Sequence, residues 1–390
     1  MTMRGREAWG PVLMMGLLQS ALVACLPWLI ERTDLSAGVW SMIFSVGMLP
    51  VLLTAPLWGR LVDLQGARRV SGLATLLVLA GFAVVLGVLV TGVGGGLAVT
   101  CLLLARLVHG LGAGGVFPAA QRLAVADTAP GQWSYRLSRL QMAVHAGRLA
   151  GPALVILAAW LPMIIVLVMA AVLSVLMVGR NAWQSASAAD PVRIPAQPPQ
   201  RLPWGHGWPF YLVAFLTTAW VGTLQFVLGP VLTAMAGVSA GTGSSLTAVA
   251  LVLASLVGLV FGPLVHARLR RAPLMFIWGA ALLAAGMVLG FADSVFRVYL
   301  GASLLALGAA VLTPWYGSRL RQCQPAAQGE VAGRLTSTHT LGYIAGTLTG
   351  GWLLENTPES ALAVFMLPAP ALVLLAIWAG RVTGRDRTVG

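Results

Sequence analysis

Apolar residues in this chain come in long unbroken runs, not in the one-sided stripe of a soluble helix. Runs of roughly 18 to 25 residues, long enough for a helix to cross the hydrocarbon core of a bilayer, occupy 9–30, 37–58, 70–91, 98–121, 137–160 and 162–180. Six more occupy 208–233, 243–264, 274–291, 296–318, 334–355 and 360–380. Between the two sets, Asn181 to Gly207 is polar and Pro-rich, with Pro195-Ala-Gln-Pro-Pro-Gln200 at its centre, which predicts an extended linker. The pattern predicts an all-α integral membrane protein with twelve transmembrane segments: a bundle over 1–180, a linker over 181–207 and a second bundle over 208–390.

The two sets also repeat each other. Leu111-Gly-Ala-Gly-Gly-Val-Phe-Pro118 in segment 4 parallels Leu307-Gly-Ala-Ala-Val-Leu-Thr-Pro314 in segment 10, an offset of 196. Gly147-x-x-Ala150-Gly151 in segment 5 parallels Gly342-x-x-Ala345-Gly346 in segment 11, an offset of 195, and Gly59-x-Leu61-Val62-Asp63 parallels Gly262-x-Leu264-Val265-His266 at 203. Duplication of a six-helix bundle explains all three, and it predicts two pseudo-symmetric halves related by an axis along the membrane normal, with a ligand site near the midplane.

Composition agrees. The chain is 58% hydrophobic and 9% charged, against about 25% charged in soluble domains, so the surplus of apolar side chains faces lipid. The net charge of +13 has to be taken loop by loop. All 24 basic residues are Arg, and twenty of them lie at the termini, in the linker or at the ends of segments on that same side. The opposite loops hold only Arg32 and Arg297, beside Glu31, Asp34, Asp293, Glu355 and Glu359. The asymmetry predicts cytoplasmic termini in a bacterial inner membrane and removes nucleic acid as a partner.

The first run is too long for the apolar core of a signal peptide and is expected to be segment 1. Cys25, Cys101 and Cys323 form no CxxC pair or Cys/His cluster, so neither metal nor cofactor is expected. No nucleophile-and-base pairing or HExxH motif suggests an enzyme.

Three motifs carry a family resemblance. Gly59-Arg-Leu-Val-Asp63-Leu-Gln-Gly66-Ala-Arg68-Arg69 after segment 2 resembles the Gly-x-x-x-Asp-Arg-x-Gly-Arg-Arg loop of the major facilitator superfamily, with Leu64 and Ala67 replacing two of its usual Arg. Arg106-x-x-His109-Gly110-x-Gly112, followed by Pro118 and Asp127-x-x-Pro130, is similar to that family's segment 4 pattern. Gly147-x-x-x-Gly151-Pro152 is similar to its segment 5 signature in drug:proton antiporters.

The resemblance implies a monomeric secondary transporter with a cavity opening alternately to each side. It also implies a latch of Gly59, Asp63, Gly66, Arg68, Arg69 and Asp127 at the cytoplasmic ends. On physical grounds Gly66 suits a tight turn, Asp63 is a candidate helix cap, and Gly147, Gly151 and Pro152 suit close, bent helix packing.

Charges within segments are costly and usually functional. Arg106 and Arg148 are expected at similar depth, with His109 and His145 each three residues from one of them, so that the four face one cavity. Gln19, Gln225 and Tyr343 are further polar candidates, and Trp220, Phe226, Trp315 and Tyr316 are aromatic ones. No Asp or Glu lies in the middle of any segment. Two Arg without an acid make a positive interior, which favours an anionic or amphipathic small organic substrate, such as a siderophore, exported against protons. Protonation of His109, His145 or His339, of Asp34 or Glu31, or proton-linked movement of the Arg pair are the open routes to coupling. A broad multidrug pump and an organic-acid importer are the alternatives on the same fold.

Overall fold

The computed structural model describes residues 8–125, 133–185, 207–268, 274–323, 328–366 and 378. Every described element is helical: α1 (Trp9–Ala24), α2 (Leu26–Thr33), α3 (Ala37–Gln65), α4 (Ala67–Thr91), α5 (Gly95–Val125), α6 (Trp133–Val155) and α7 (Met163–Ser185), then α8 (Trp208–Ala236), α9 (Ala240–Arg268), α10 (Leu274–Gly290), α11 (Val295–Cys323) and α12 (Gln328–Asn356). Most of these helices outlast the apolar runs that predict them. At 29 residues, α3, α9 and α11 are about 43 Å long, longer than the roughly 30 Å hydrocarbon core of a bilayer.

Seven helices hold an 18-residue apolar window, and the bent pair α1–α2 makes an eighth among the described residues. In α7 and α10 the apolar stretches are shorter, Met163–Gly179 and Ala281–Gly290, while α12 is interrupted by Thr336, Ser337, Thr338, His339 and Thr340. Of the twelfth segment only 360–366 and 378 are described, with a 3-10 turn at Ala363–Met366; the rest of that segment and most of the linker lie outside the described residues. Leu53, Trp160 and Phe296 are more than two-thirds exposed, as side chains facing lipid would be.

Segment 1 is not one helix, which corrects the sequence expectation. It breaks at Cys25, and α2 leaves α1 at 64°. Pro27 stands at the start of α2; it lacks an N–H, and its ring displaces the carbonyl four residues earlier. The bend turns the Trp28 N–H toward Ser244 Oγ, 3.3 Å away on α9. Arg32 fixes the far end of α2 by donating from Nε and Nη2 to the Leu89 carbonyl, at 3.0 and 2.8 Å. That carbonyl lies in the last turn of α4, where carbonyls have no intrahelical partner. Thr33 Oγ1 accepts from the buried Trp40 indole at 3.1 Å, and the Ser36 hydroxyl caps α3.

The described residues group into two compact units, one within Met1–Gln197 and Val238–Val249, the other within Pro198–Gly237 and Ala250–Gly390. In the first, α1 packs on α6 and α4 on α5; in the second, α8 packs on α12 and α10 on α11. These are the same pairings in terms of predicted segments, 1 with 5 and 3 with 4, then 7 with 11 and 9 with 10.

The glycines explain the close pairs. A Cβ on Gly147 or Gly151 would run into the Leu13 or Leu17 carbonyl oxygen of α1. A Cβ on Gly342 or Gly346 would meet the carbonyl oxygen of Phe215 or Ala219 on α8. Only hydrogen at these four positions lets the backbones touch. Leu13 and Phe215, like Leu17 and Ala219, stand 202 residues apart, so the packing seam itself is duplicated. Pro152 lies inside α6, which passes into a 3-10 turn at Ile156–Ala159.

Candidate substrate site

The loop after segment 2 is a single-residue turn. Gly66, at φ 92° and ψ 143°, separates α3 from α4, a conformation that a side chain would strain. Asp63 does not cap α4: it sits in the last turn of α3, exposed, and the cap position of α4 is Gly66, which offers no side chain. Gly59 is half-buried in α3, Arg68 is half-buried and Arg69 exposed in the first turn of α4. Asp127, the expected partner of these arginines, lies outside the described residues.

Arg106 stands eleven residues into the 31-residue α5, about 17 Å from its start, and only 3% of it is exposed. It fits there because α3 and α5 meet at two glycines: a Cβ on Gly110 would strike the Gly47 carbonyl oxygen, and one on Gly47 would sit 2.8 Å from Arg106 Nε. One turn before Gly47, the Phe44 ring lies 5.3 Å from the guanidinium carbon, a cation–π distance. Nη2 donates to Gln19 Oε1 of α1 at 2.9 Å. Nε and Nη1 are buried and have no hydrogen-bond partner among the described residues, and the same holds for Nδ1 of His109, which is 4% exposed. Buried N–H groups are rarely left so, since each costs about 1–3 kcal/mol.

Of the residues expected on one wall, Gln19 and Arg106 are brought together by a hydrogen bond and His109 is buried one turn away. His145 and Arg148 lie on an exposed face of α6. In the second unit Gln225 and Tyr343 are half-buried on α8 and α12, and the Tyr343 ring rests against the space left by Gly222. Trp220 is buried, stacks on Phe365 at 6.1 Å, and has an indole N–H without a partner among the described residues. Trp315 packs edge-on against Phe210. Tyr316 is fully buried and its hydroxyl lies 2.8 Å from His339 Nε2.

Sequence reasoning had no signal for Phe44 or Gly47. The Thr313–Tyr316 spacing, one turn apart on α11, was the available hint for the last cluster.

Twelve-segment patterning, a duplicated packing seam and a guanidinium held at mid-span among apolar helices describe a multi-pass membrane transporter. Residues 11–267 match the model of the Major Facilitator Superfamily. The chain belongs to that family, whose members carry small substrates. No curated protein matches it in sequence.

Solved structures similar in fold include a point mutant of the nucleoside transporter NupG, 14% identical, with a TM-score of 0.73, covering 97% of this chain and 99% of that one. A D-xylose–proton symporter is 12% identical, with a TM-score of 0.74 and coverage of 96% and 95%. The human organic anion transporter MFSD10 (TETRAN) is 18% identical, with a TM-score of 0.62 and coverage of 96% and 98%. At such identities the likeness concerns the fold.

Proposed function

We propose that this transporter is a proton-coupled exporter of a small organic anion, of the drug:proton antiporter type, with a carboxylate- or hydroxamate-bearing metabolite such as a siderophore as its substrate class. The observation that carries this reading is Arg106. Its charge is desolvated, one donor is used by Gln19, and the N–H groups at Nε and Nη1 remain to receive an anion's oxygens. Charge-assisted hydrogen bonds of this kind are strong in a low-dielectric interior.

The described carboxylates support it from the other direction. Glu31, Asp34, Asp63, Asp293, Glu355 and Glu359 are all exposed, and all sit at or near helix ends, so nothing acidic among the described residues competes for Arg106 or holds a cationic drug. In this reading both termini are cytoplasmic, which the Arg asymmetry of the loops supports, and the chain acts as a monomer in a bacterial inner membrane.

The test is untargeted mass spectrometry of medium and cell extract from a deletion strain and its parent, grown with and without iron. An acidic compound retained in the mutant and missing from its medium is the expected result; complementation with wild type restores export, and Arg106→Met does not. Matching profiles together with new sensitivity to cationic dyes would instead identify a broad-specificity pump and remove Arg106 as an anion contact.

A further inference from the structure

Arg106 is 3% exposed, and its Nε and Nη1 are fully enclosed, so an anion reaches it only when a neighbouring group moves. We infer that the Gln19 side chain is that moving group: its amide holds the anion's place in the empty transporter and is displaced when the anion binds. This rests on Arg106 as the anion contact, and it assigns Gln19 as the residue that sets affinity at the site.

Gly47, Phe44 and Gln19 line the guanidinium. A Cβ on Gly47 would lie 2.8 Å from Nε and 3.1 Å from Nη2, so the backbone of α3 stands against these nitrogens, and the Phe44 ring is 5.3 Å from the guanidinium carbon. Both residues are buried, and moving them would part α3 from α5. Gln19 is different: it is half-buried on α1 and held to Arg106 by one hydrogen bond, donated by Nη2 to Oε1 at 2.9 Å. A change of side-chain rotamer removes it without shifting a helix.

The nitrogen that Gln19 occupies is the one an anion needs. A carboxylate grips a guanidinium through two parallel N–H bonds. Cδ blocks one edge of the group, and the two remaining edges pair Nε with Nη2 or Nη1 with Nη2. Either grip uses Nη2, the donor to Gln19. Oε1 presents there a trigonal oxygen like that of a carboxylate but without its charge, so a charged oxygen outcompetes it. The other end of the amide is open: Nε2 has no hydrogen-bond partner among the described residues and is not one of the enclosed polar atoms. Once the anion leaves, Gln19 returns to Nη2 and replaces the lost bond, which spares a buried cation a further unpaired donor.

The two residues also differ between the copies as a pair. At the offset of 196 that relates segments 4 and 10, Arg106 corresponds to Ala302; at 202, which relates segments 1 and 7, Gln19 corresponds to Val221. Both are polar in the first copy and apolar in the second, while the seam glycines persist in both. Gln19 goes with the cation and not with the helix packing.

The experiment titrates the full-length protein in lipid nanodiscs with 4-fluorobenzoate and reads binding from the 19F resonance of the probe. Gln19→Ala should bind it about tenfold more tightly than wild type, because the competing bond is gone. Gln19→Glu, which tethers a carboxylate beside Nη2, should bind it at least about tenfold more weakly. A purely structural role for Gln19 would move both variants toward loss. If Gln19→Ala does not fold, Gln19→Met, which keeps the length and removes the amide, takes its place.

Unchanged or weaker binding in the variant without the amide, or undiminished binding in Gln19→Glu, would overturn the assignment. Arg106→Met separates this from the anion reading. Binding that survives in Arg106→Met, or that is absent from both wild type and Gln19→Ala, shows the anion contact itself to be wrong. Binding lost in Arg106→Met but not tightened in Gln19→Ala leaves the anion contact standing and removes only the role of Gln19.

Discussion

Replacing Arg106 by Met should raise stability while abolishing export. A charged Arg at the centre of a membrane helix costs about 2.5–3.5 kcal/mol, and each buried N–H left without a partner adds about 1–3 kcal/mol. Against this stand one charge-assisted bond to Gln19 Oε1, worth about 1.5–3 kcal/mol, and the Phe44 contact, worth about 0.5–2 kcal/mol. Met has similar length, and Gly47 already leaves the space, so packing is kept. At mid-range values the balance favours the variant by about 3–4 kcal/mol, in line with the replacement of buried charges by apolar side chains elsewhere. The assay is equilibrium unfolding in mixed micelles beside export from the complemented deletion strain. A variant destabilised by about 2 kcal/mol or more would show that the guanidinium holds α1, α3 and α5 together, and the argument that it is kept for a ligand would fail.

Three further outcomes are expected. Gly151→Leu and Gly346→Leu should each cost about 3 kcal/mol or more by forcing α6 from α1 or α12 from α8, and comparable losses in yield of monodisperse protein would confirm that the two seams are equivalent. Arg32→Gln removes both bonds to the Leu89 carbonyl and should lower stability by about 1–2 kcal/mol, measured by thermal unfolding, with export little changed. Arg148→Ala, at an exposed position of α6, should stay within about 0.5 kcal/mol of wild type yet lose export; full activity would end its candidacy as a substrate contact.

The fold was largely legible because hydrophobic run length is a direct consequence of bilayer thickness: the first eleven runs each fall on described helix, several of which extend up to seven residues past the predicted bounds. The exception, the break at Cys25, was written in Pro27 but hidden by the apolar residues on either side, since run length records hydrophobicity and not backbone hydrogen bonding. The site was legible only in part. Arg106 stood out as a charge among apolar neighbours, but its surroundings depend on which helices touch. Phe44 and Gly47 are ordinary membrane residues until α3 is laid against α5. Asp63 looked like a cap because it precedes a turn, yet α3 runs two residues past it and leaves the cap position to Gly66.

The duplication shows where packing and chemistry have parted. At the offset of 196 that relates segments 4 and 10, Arg106 corresponds to the buried Ala302, and Tyr316 to the buried Ala120. At 195, which relates segments 5 and 11, His339 corresponds to the buried Val144, whereas Arg148 corresponds to Tyr343. The glycines of the seam are preserved in both copies because a lost one separates two backbones. The polar groups are not: a second buried guanidinium would incur its desolvation cost again. In this chain the buried guanidinium lies in the first copy and the tyrosine–imidazole contact in the second, each facing an apolar counterpart in sequence.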